Sequence, residues 1–355
     1  MTHRYPAALG ALAVVIAVVS LASGSAAGQQ SYTVAKTKAS NYHAPRTPWG
    51  EPDLRGQWRN ETFTPLERPK ELAGKEFYTE AEATELVSKR EAVDAPLRAA
   101  GVPNEPSPRQ PAGTYNRTWQ DTGLPPVVYT RTSMIVGPDG KIPFTPQAAK
   151  REQETSDHYG QGPYNSWFDI DTGERCITDG LPGSVWTGTA GGPTQILQSP
   201  GYVVITGEQF RDRRIVPTDG RPHGKIRGWL GEGRGHWEGD TLVVDTTNFL
   251  DLTKYWWVAR WREPTETMHM VERFTRVDPD TINYQLTMED PAKFTRPWTA
   301  EVPLTNIHQP FFEYACHEGN YGVIHTLAGD RGREQGKVFE DAYPVPVEAT
   351  KTPSR

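Results

Sequence analysis

From residue 281 to residue 289 apolar and polar side chains alternate without a break. Ile282, Tyr284, Leu286 and Met288 fall on one face, and Asn283, Gln285, Thr287 and Glu289 on the other. That period of two is the pattern of a strand with one buried face. Trp298, Ala300, Val302 and Leu304 repeat it. Earlier runs at 195–198 and 202–205 are split by Pro200-Gly201. The run 241–245 follows the turn Trp237-Glu238-Gly239-Asp240, and 269–277 meets 281–289 across Asp278-Pro279-Asp280. Further runs at 299–304 and 311–316 complete the series. No helical crossovers of about a dozen residues, which parallel strands require, separate them. The expectation is therefore a mainly β fold, an antiparallel meander of about eight to ten strands closing into a barrel or a strongly curved sheet.

Upstream of this series the chain is rich in proline, and the 31 prolines as a whole argue against a helical bundle. Short strands are expected at 127–129 and 133–136. One helix announces itself through the capping box Thr79-Glu80-Ala81-Glu82, continues through Ala83, Leu86 and Val87, and should stop before Pro96. A second is expected from Thr145-Pro146 to about Thr155, and a third over 319–339. Four segments result: residues 1–27, a Pro-rich arm at 28–185 that packs on the body, a barrel-like body with a C-terminal helix at 186–345, and a tail at 346–355.

Residues 1–27 have the layout of a secretory signal peptide: His3 and Arg4, an apolar run at 7–22, then Ser25-Ala26-Ala27. The run is shorter than the roughly 20 residues of a spanning helix. The mature chain is thus expected in the periplasm or outside the cell, with no membrane span. In such an oxidising compartment Cys176 and Cys316, the only cysteines, read as a disulfide. A net charge of -6 excludes a basic nucleic-acid binder.

Several segments are distinctive: Pro48-Trp49-Gly50-Glu51-Pro52-Asp53-Leu54-Arg55-Gly56-Gln57-Trp58, Glu174-Arg175-Cys176-Ile177-Thr178-Asp179-Gly180-Leu181-Pro182-Gly183-Ser184, Trp237-Glu238-Gly239-Asp240-Thr241-Leu242-Val243-Val244, Val271-Glu272-Arg273-Phe274-Thr275-Arg276-Val277-Asp278 and Tyr314-Ala315-Cys316-His317-Glu318-Gly319-Asn320-Tyr321. Through them the chain resembles a family of secreted bacterial proteins of unassigned function. The resemblance implies an envelope or extracellular setting and no particular activity.

The chemistry must come from the residues. Gly231-Glu232-Gly233-Arg234-Gly235 precedes a strand rather than opening a helix, so it reads as a flexible connection and not as a phosphate cradle. His269 and Glu272 sit three apart on a strand and point to opposite faces, which leaves His269 as a lone cavity-lining candidate. His317 and Glu318 follow Cys316, at a barrel rim where loops carry ligand contacts. An imidazole there can move protons near neutral pH, with the carboxylate to orient it. Tyr321 lies in the same turn. Ser184 follows Gly183 but lacks the nucleophile-elbow pattern. Arg214 and His223 belong to a charged stretch that can bind a carboxylate or sulfate, or form a salt-laced surface hairpin. Trp256, Trp257 and Trp261 can line an apolar or sugar-binding cavity, or plug the core of a curved sheet.

No nucleotide or haem motif is present, and His223, His269, His317 and Glu318 match no standard zinc spacing. The expectation is a cofactor-independent hydrolase, lyase or isomerase without a bound metal. It would act on a small or medium-sized organic substrate in a barrel cavity, with His317, Glu318 and His269 as catalytic groups. Two other readings stand beside it: a non-catalytic carrier of a small ligand, and a structural envelope protein. The oligomeric state stays open.

Overall fold

The alternating runs become one antiparallel sheet of nine strands. The computed structural model describes residues 34–35, 42–60, 62, 64–99, 128–157, 162–186, 192–255, 260–308 and 312–336. Residues 1–27, Trp256, Trp257 and the tail lie outside them. The chain divides into Met1–Ser31 and Tyr32–Arg355, and every described residue belongs to the second unit.

The strands are β1 (Val34–Ala35), β2 (Gly56–Arg59), β3 (Val128–Tyr129), β4 (Thr194–Ser199), β5 (Tyr202–Gly207) and β6 (Arg213–Pro217). They continue with β7 (Glu232–Glu238), β8 (Thr241–Thr247), β9 (His269–Asp278), β10 (Thr281–Glu289) and β11 (Trp298–Asn306). The helices are α1 (Glu80–Ala99), α2 (Pro146–Asp157), α3 (Gly183–Trp186) and α4 (Gly322–Glu334). Strands β1 and β3 form a small parallel pair. The main sheet runs β6-β5-β4-β2-β11-β10-β9-β8-β7. It is a meander nearly closed into a barrel. Among the described residues no helix is long and apolar enough to cross a membrane.

Strand β2 comes from the Pro-rich arm and fills the gap between the two halves of the meander. Trp58 pairs with Thr194 on β4 and Arg59 with Thr305 on β11. The arm is therefore part of the sheet itself. Arg68 ties down its next stretch, donating to Thr132 Oγ1 at 2.8 Å and to the Gly137 carbonyl at 2.9 Å.

The inward positions of successive strands make one continuous core. Ile196, Val244, Phe274, Tyr284, Leu286 and Val302 are wholly buried in it, and each large apolar side chain there contributes about 1.5–3 kcal/mol. Trp261 belongs to the same core, edge-on to Trp298 at 5.4 Å.

The edge strands β6 and β7 meet without a ladder between them. Here most of the glycine run at 231–235, expected from the sequence to be a flexible connection, is instead the start of β7, which begins at Glu232. A β-carbon on Gly235 would come 2.9 Å from Val216 Cγ1, and one on Gly233 would touch Val216 and Val244. The glycines are therefore needed for close packing across the seam.

Three local expectations also change. Helix α1 passes Pro96 and ends at Ala99; the proline forfeits one backbone bond, about 3 kcal/mol, and the helix stops within the next turn. Residues 133–136 make a single bridge, Ile135 to Ala300. Residues 312–316 are not a strand, because the Phe312 N–H goes to the Glu208 carboxylate at 2.8 Å instead of to a neighbouring backbone. Cys176 and Cys316 are joined, with Cα atoms 5.7 Å apart across 140 residues of chain.

Candidate functional site

The outer face of β7, β8, β9 and β10 carries a linked set of imidazoles and carboxylates. Alternation along β8 turns Leu242, Val244 and Thr246 inward and leaves Asp245 outside. Alternation along β9 does the same for Met270 and Glu272 and leaves His269 outside. Asp245 lies directly opposite Val271, two residues along β9 from His269. His223 reaches the same carboxylate from the loop between β6 and β7.

The result is a carboxylate held between two imidazoles. His223 Nε2 lies 2.8 Å from Asp245 Oδ1, and His269 Nε2 lies 2.7 Å from Asp245 Oδ2. An ionised carboxylate only accepts, so both Nε2 atoms donate to Asp245. A second carboxylate stands near each Nδ1: Glu232 Oε2 at 3.5 Å from His223, and Glu289 Oε2 at 3.7 Å from His269. His223 Nδ1 is buried, whereas His269 keeps about a third of its side chain exposed, 36%.

The loop carrying His223 is clamped. Glu232 Oε2 accepts from the Gly224 N–H at 2.7 Å and from Asn248 Nδ2 at 2.9 Å. Arg234 pairs with Glu232 and donates to the Pro222 carbonyl at 3.0 Å. Burial alone would raise the Glu232 carboxyl. The Gly224 and Asn248 hydrogen bonds and the Arg234 charge outweigh it and hold the group below the usual carboxylate range. These supporting bonds make the His223 side of the cluster rigid. Among the described residues no group of three or more His, Cys, Asp or Glu is arranged to hold a metal ion.

The other candidate residues lie elsewhere. His317 and Glu318 are exposed in the turn after Cys316, where the Glu318 N–H donates to the Ala315 carbonyl and the Asn320 N–H to that of His317. Asn320 laces this turn to the Glu174 carbonyl at 2.9 Å. Tyr321 is exposed and stacks on His325 at 6.0 Å. Arg214 is buried inside the barrel, with both terminal nitrogens on Glu272, whose Oε1 also accepts from Tyr284 Oη at 2.9 Å.

A second polar constellation surrounds the start of α3, the helix that contains Ser184. Asp212 accepts from Thr178 Oγ1 at 2.7 Å and from the Asp179 N–H at 3.0 Å. Burial pushes its carboxyl up to about 6. Tyr255 and Arg262 both donate to the Asp179 carbonyl, and Arg262 also pairs with its carboxylate at 3.2 Å. The Gly180-Leu181-Pro182-Gly183 run fits here because neither glycine can carry a side chain. A β-carbon on Gly180 would lie 2.2 Å from Tyr255 Oη, and one on Gly183 would lie 2.2 Å from Arg262 Nη2. The two glycines in that run were the available signal for this cluster. Asp245, Glu232 and Glu289 also escaped the sequence reading; strand alternation could have placed Asp245 and His269 on one face.

Comparison of the chain with protein-family models, curated proteins and solved structures returned no match.

Proposed function

We propose that this protein is an exported enzyme that acts on a small or medium-sized organic substrate by general acid–base chemistry, with His269 as the proton-moving group. The observation that carries this reading is the Asp245 carboxylate, bonded on both oxygens to the Nε2 atoms of His223 and His269. A carboxylate behind an imidazole fixes its tautomer and stabilises the imidazolium that forms when it takes a proton. Asp245 does this for two rings at once. His269 keeps about a third of its side chain exposed, so its ring is the one that meets substrate, with Glu289 beside Nδ1 and His223 completing the frame around Asp245.

The site opens on the outer face of the sheet, because His269 points away from the packed interior. Both cysteines are in the disulfide, and the cluster contains no serine. Proton transfer to and from substrate or water is therefore the chemistry proposed: hydrolysis, elimination or isomerisation. Export is supported by the apolar run at 7–22 ahead of Ser25-Ala26-Ala27, by the disulfide and by the resemblance to secreted bacterial proteins.

The test is turnover by the purified chain on chromogenic esters and lactones, and proton exchange of carbon acids in heavy water. Asp245→Asn and His269→Gln should each lower the rate by about 10²–10⁴. Unchanged turnover in both variants refutes the assignment. A loss confined to His317→Gln or Glu318→Gln moves the chemistry to the turn at Cys316.

A further inference from the structure

The outer face of β4, β5 and β6 carries two parallel rows. Leu197, Val204 and Ile215 are direct cross-strand partners and form an apolar row three strands wide. Gln195, Thr206 and Arg213 form the next row, which is polar. Such a face on a single chain would normally be covered. Here Leu197 is 46% and Ile215 66% exposed.

The face is a groove rather than a flat patch. A cavity of about 610 Å³ lies over Leu197, Val204 and the polar row beside them, walled by Phe312 and Glu313. That wall is held in place at both ends. The Phe312 N–H is bonded to Glu208, and four residues on Cys316 is tied to Cys176. Tyr314, between them, packs edge-on against Phe210 at 5.1 Å. The volume falls in the range of about 300–1,000 Å³ typical of small-molecule sites.

The charges in the groove do not cancel. Arg211 and Arg213 line it with a single carboxylate, Glu313. Glu313 lies 3.7 Å from Arg211, and both are largely exposed. The Arg213 side chain has no ion pair or hydrogen bond among the described residues. A guanidinium beside an apolar row is complementary to a molecule with one anionic end and one apolar tail.

We propose that this groove binds a long-chain carboxylate, with the tail along Leu197 and Val204 and the carboxylate on Arg213. The site is separate from the proposed catalytic cluster and does not depend on it. It gives the chain a binding function for a single-chain anionic amphiphile.

The probe is laurate, measured by displacement of a dansyl-labelled undecanoate from the full chain, with 1-dodecanol as the uncharged control. Laurate should displace the dye at one site per chain, and dodecanol should bind about tenfold or more weakly. Arg213→Gln should bring laurate down to the level of dodecanol. Leu197→Asn should weaken both ligands together. Both positions are exposed, so the variants should keep the wild-type circular dichroism; His269→Gln should bind laurate normally. Equal affinity for laurate and dodecanol, an unchanged Arg213→Gln variant, or no displacement up to the solubility limit each overturns the proposal. Binding only to vesicles containing an anionic phospholipid, with none to monomeric laurate, also overturns it, because the face would then dock on a membrane.

Discussion

Replacing Arg214 by Met should destabilise the protein severely, and replacing its partners as well should restore it. The seam between β6 and β7 has no ladder hydrogen bonds. Arg214 on β6 reaches past it to Glu272 on β9, and Tyr284 on β10 completes the set. Glu272 is wholly buried and the Arg214 side chain nearly so. Burial and the Glu272 charge raise the Tyr284 hydroxyl far above its ordinary value, so it stays protonated and donates. Removing the guanidinium strands a buried carboxylate with one hydroxyl for company, at a cost of about 3–5 kcal/mol. The network is also incomplete: Arg214 Nε and Thr246 Oγ1 are buried without hydrogen-bond partners. An apolar replacement of the whole set, Arg214→Met with Glu272→Leu and Tyr284→Phe, should therefore return to within about 2 kcal/mol of the original. Urea unfolding followed by tryptophan fluorescence reads both effects. With a slope of about 3 kcal/mol per molar, the single variant should lose about 1–2 M in its midpoint. A single variant that loses less than about 1 kcal/mol would mean that water already solvates Glu272. A triple variant as weak as the single one would mean that the ion pair, not its desolvation, dominates the balance.

Three further outcomes follow from the packing. Burial raises Asp212 from 3.8 to about 6, so the native state holds that proton more tightly than the unfolded chain. The resulting stability is complete below about pH 4 and is lost as pH rises through about 6, a change of about 3 kcal/mol that Asp212→Asn should abolish in unfolding curves across that window. A variant that keeps the same pH dependence would clear Asp212 of the effect. Replacing both Cys176 and Cys316 by Ser should cost about 4–5 kcal/mol from loop-closure entropy, read as a lower urea midpoint. Gly235→Ala should cost about 1–3 kcal/mol, because its methyl group meets Val216 and Thr218 across the seam; an unchanged midpoint would show that β6 can move away freely.

Where the sequence was readable, the reason was local. The capping box at Thr79 and Glu82 forms as written, with the Thr79 N–H donating to Glu82 Oε2 at 2.8 Å. The second helix begins at Pro146, as its Pro-first start foretold. The disulfide followed from a signal-peptide layout and there being only two cysteines. Where reading failed, the deciding partner was remote. Phe312 looks like part of a strand until the Glu208 carboxylate takes its N–H. The glycines of β7 look like a loop until Val216 packs over them.

The sequence alone determined that this chain would be an antiparallel meander, because a side chain's face on a strand depends only on its neighbours along the chain and a tight turn allows only antiparallel pairing. The tertiary structure alone decided which strands meet and which charges share a site. Strand β2 enters the sheet from about 140 residues before its partner β4, to fill a gap that no local pattern records. His223, Asp245 and His269 come together because two strand registers and a clamped loop agree on one spot. Such agreement rests on distances between segments, and a linear pattern of hydrophobicity carries no information about them.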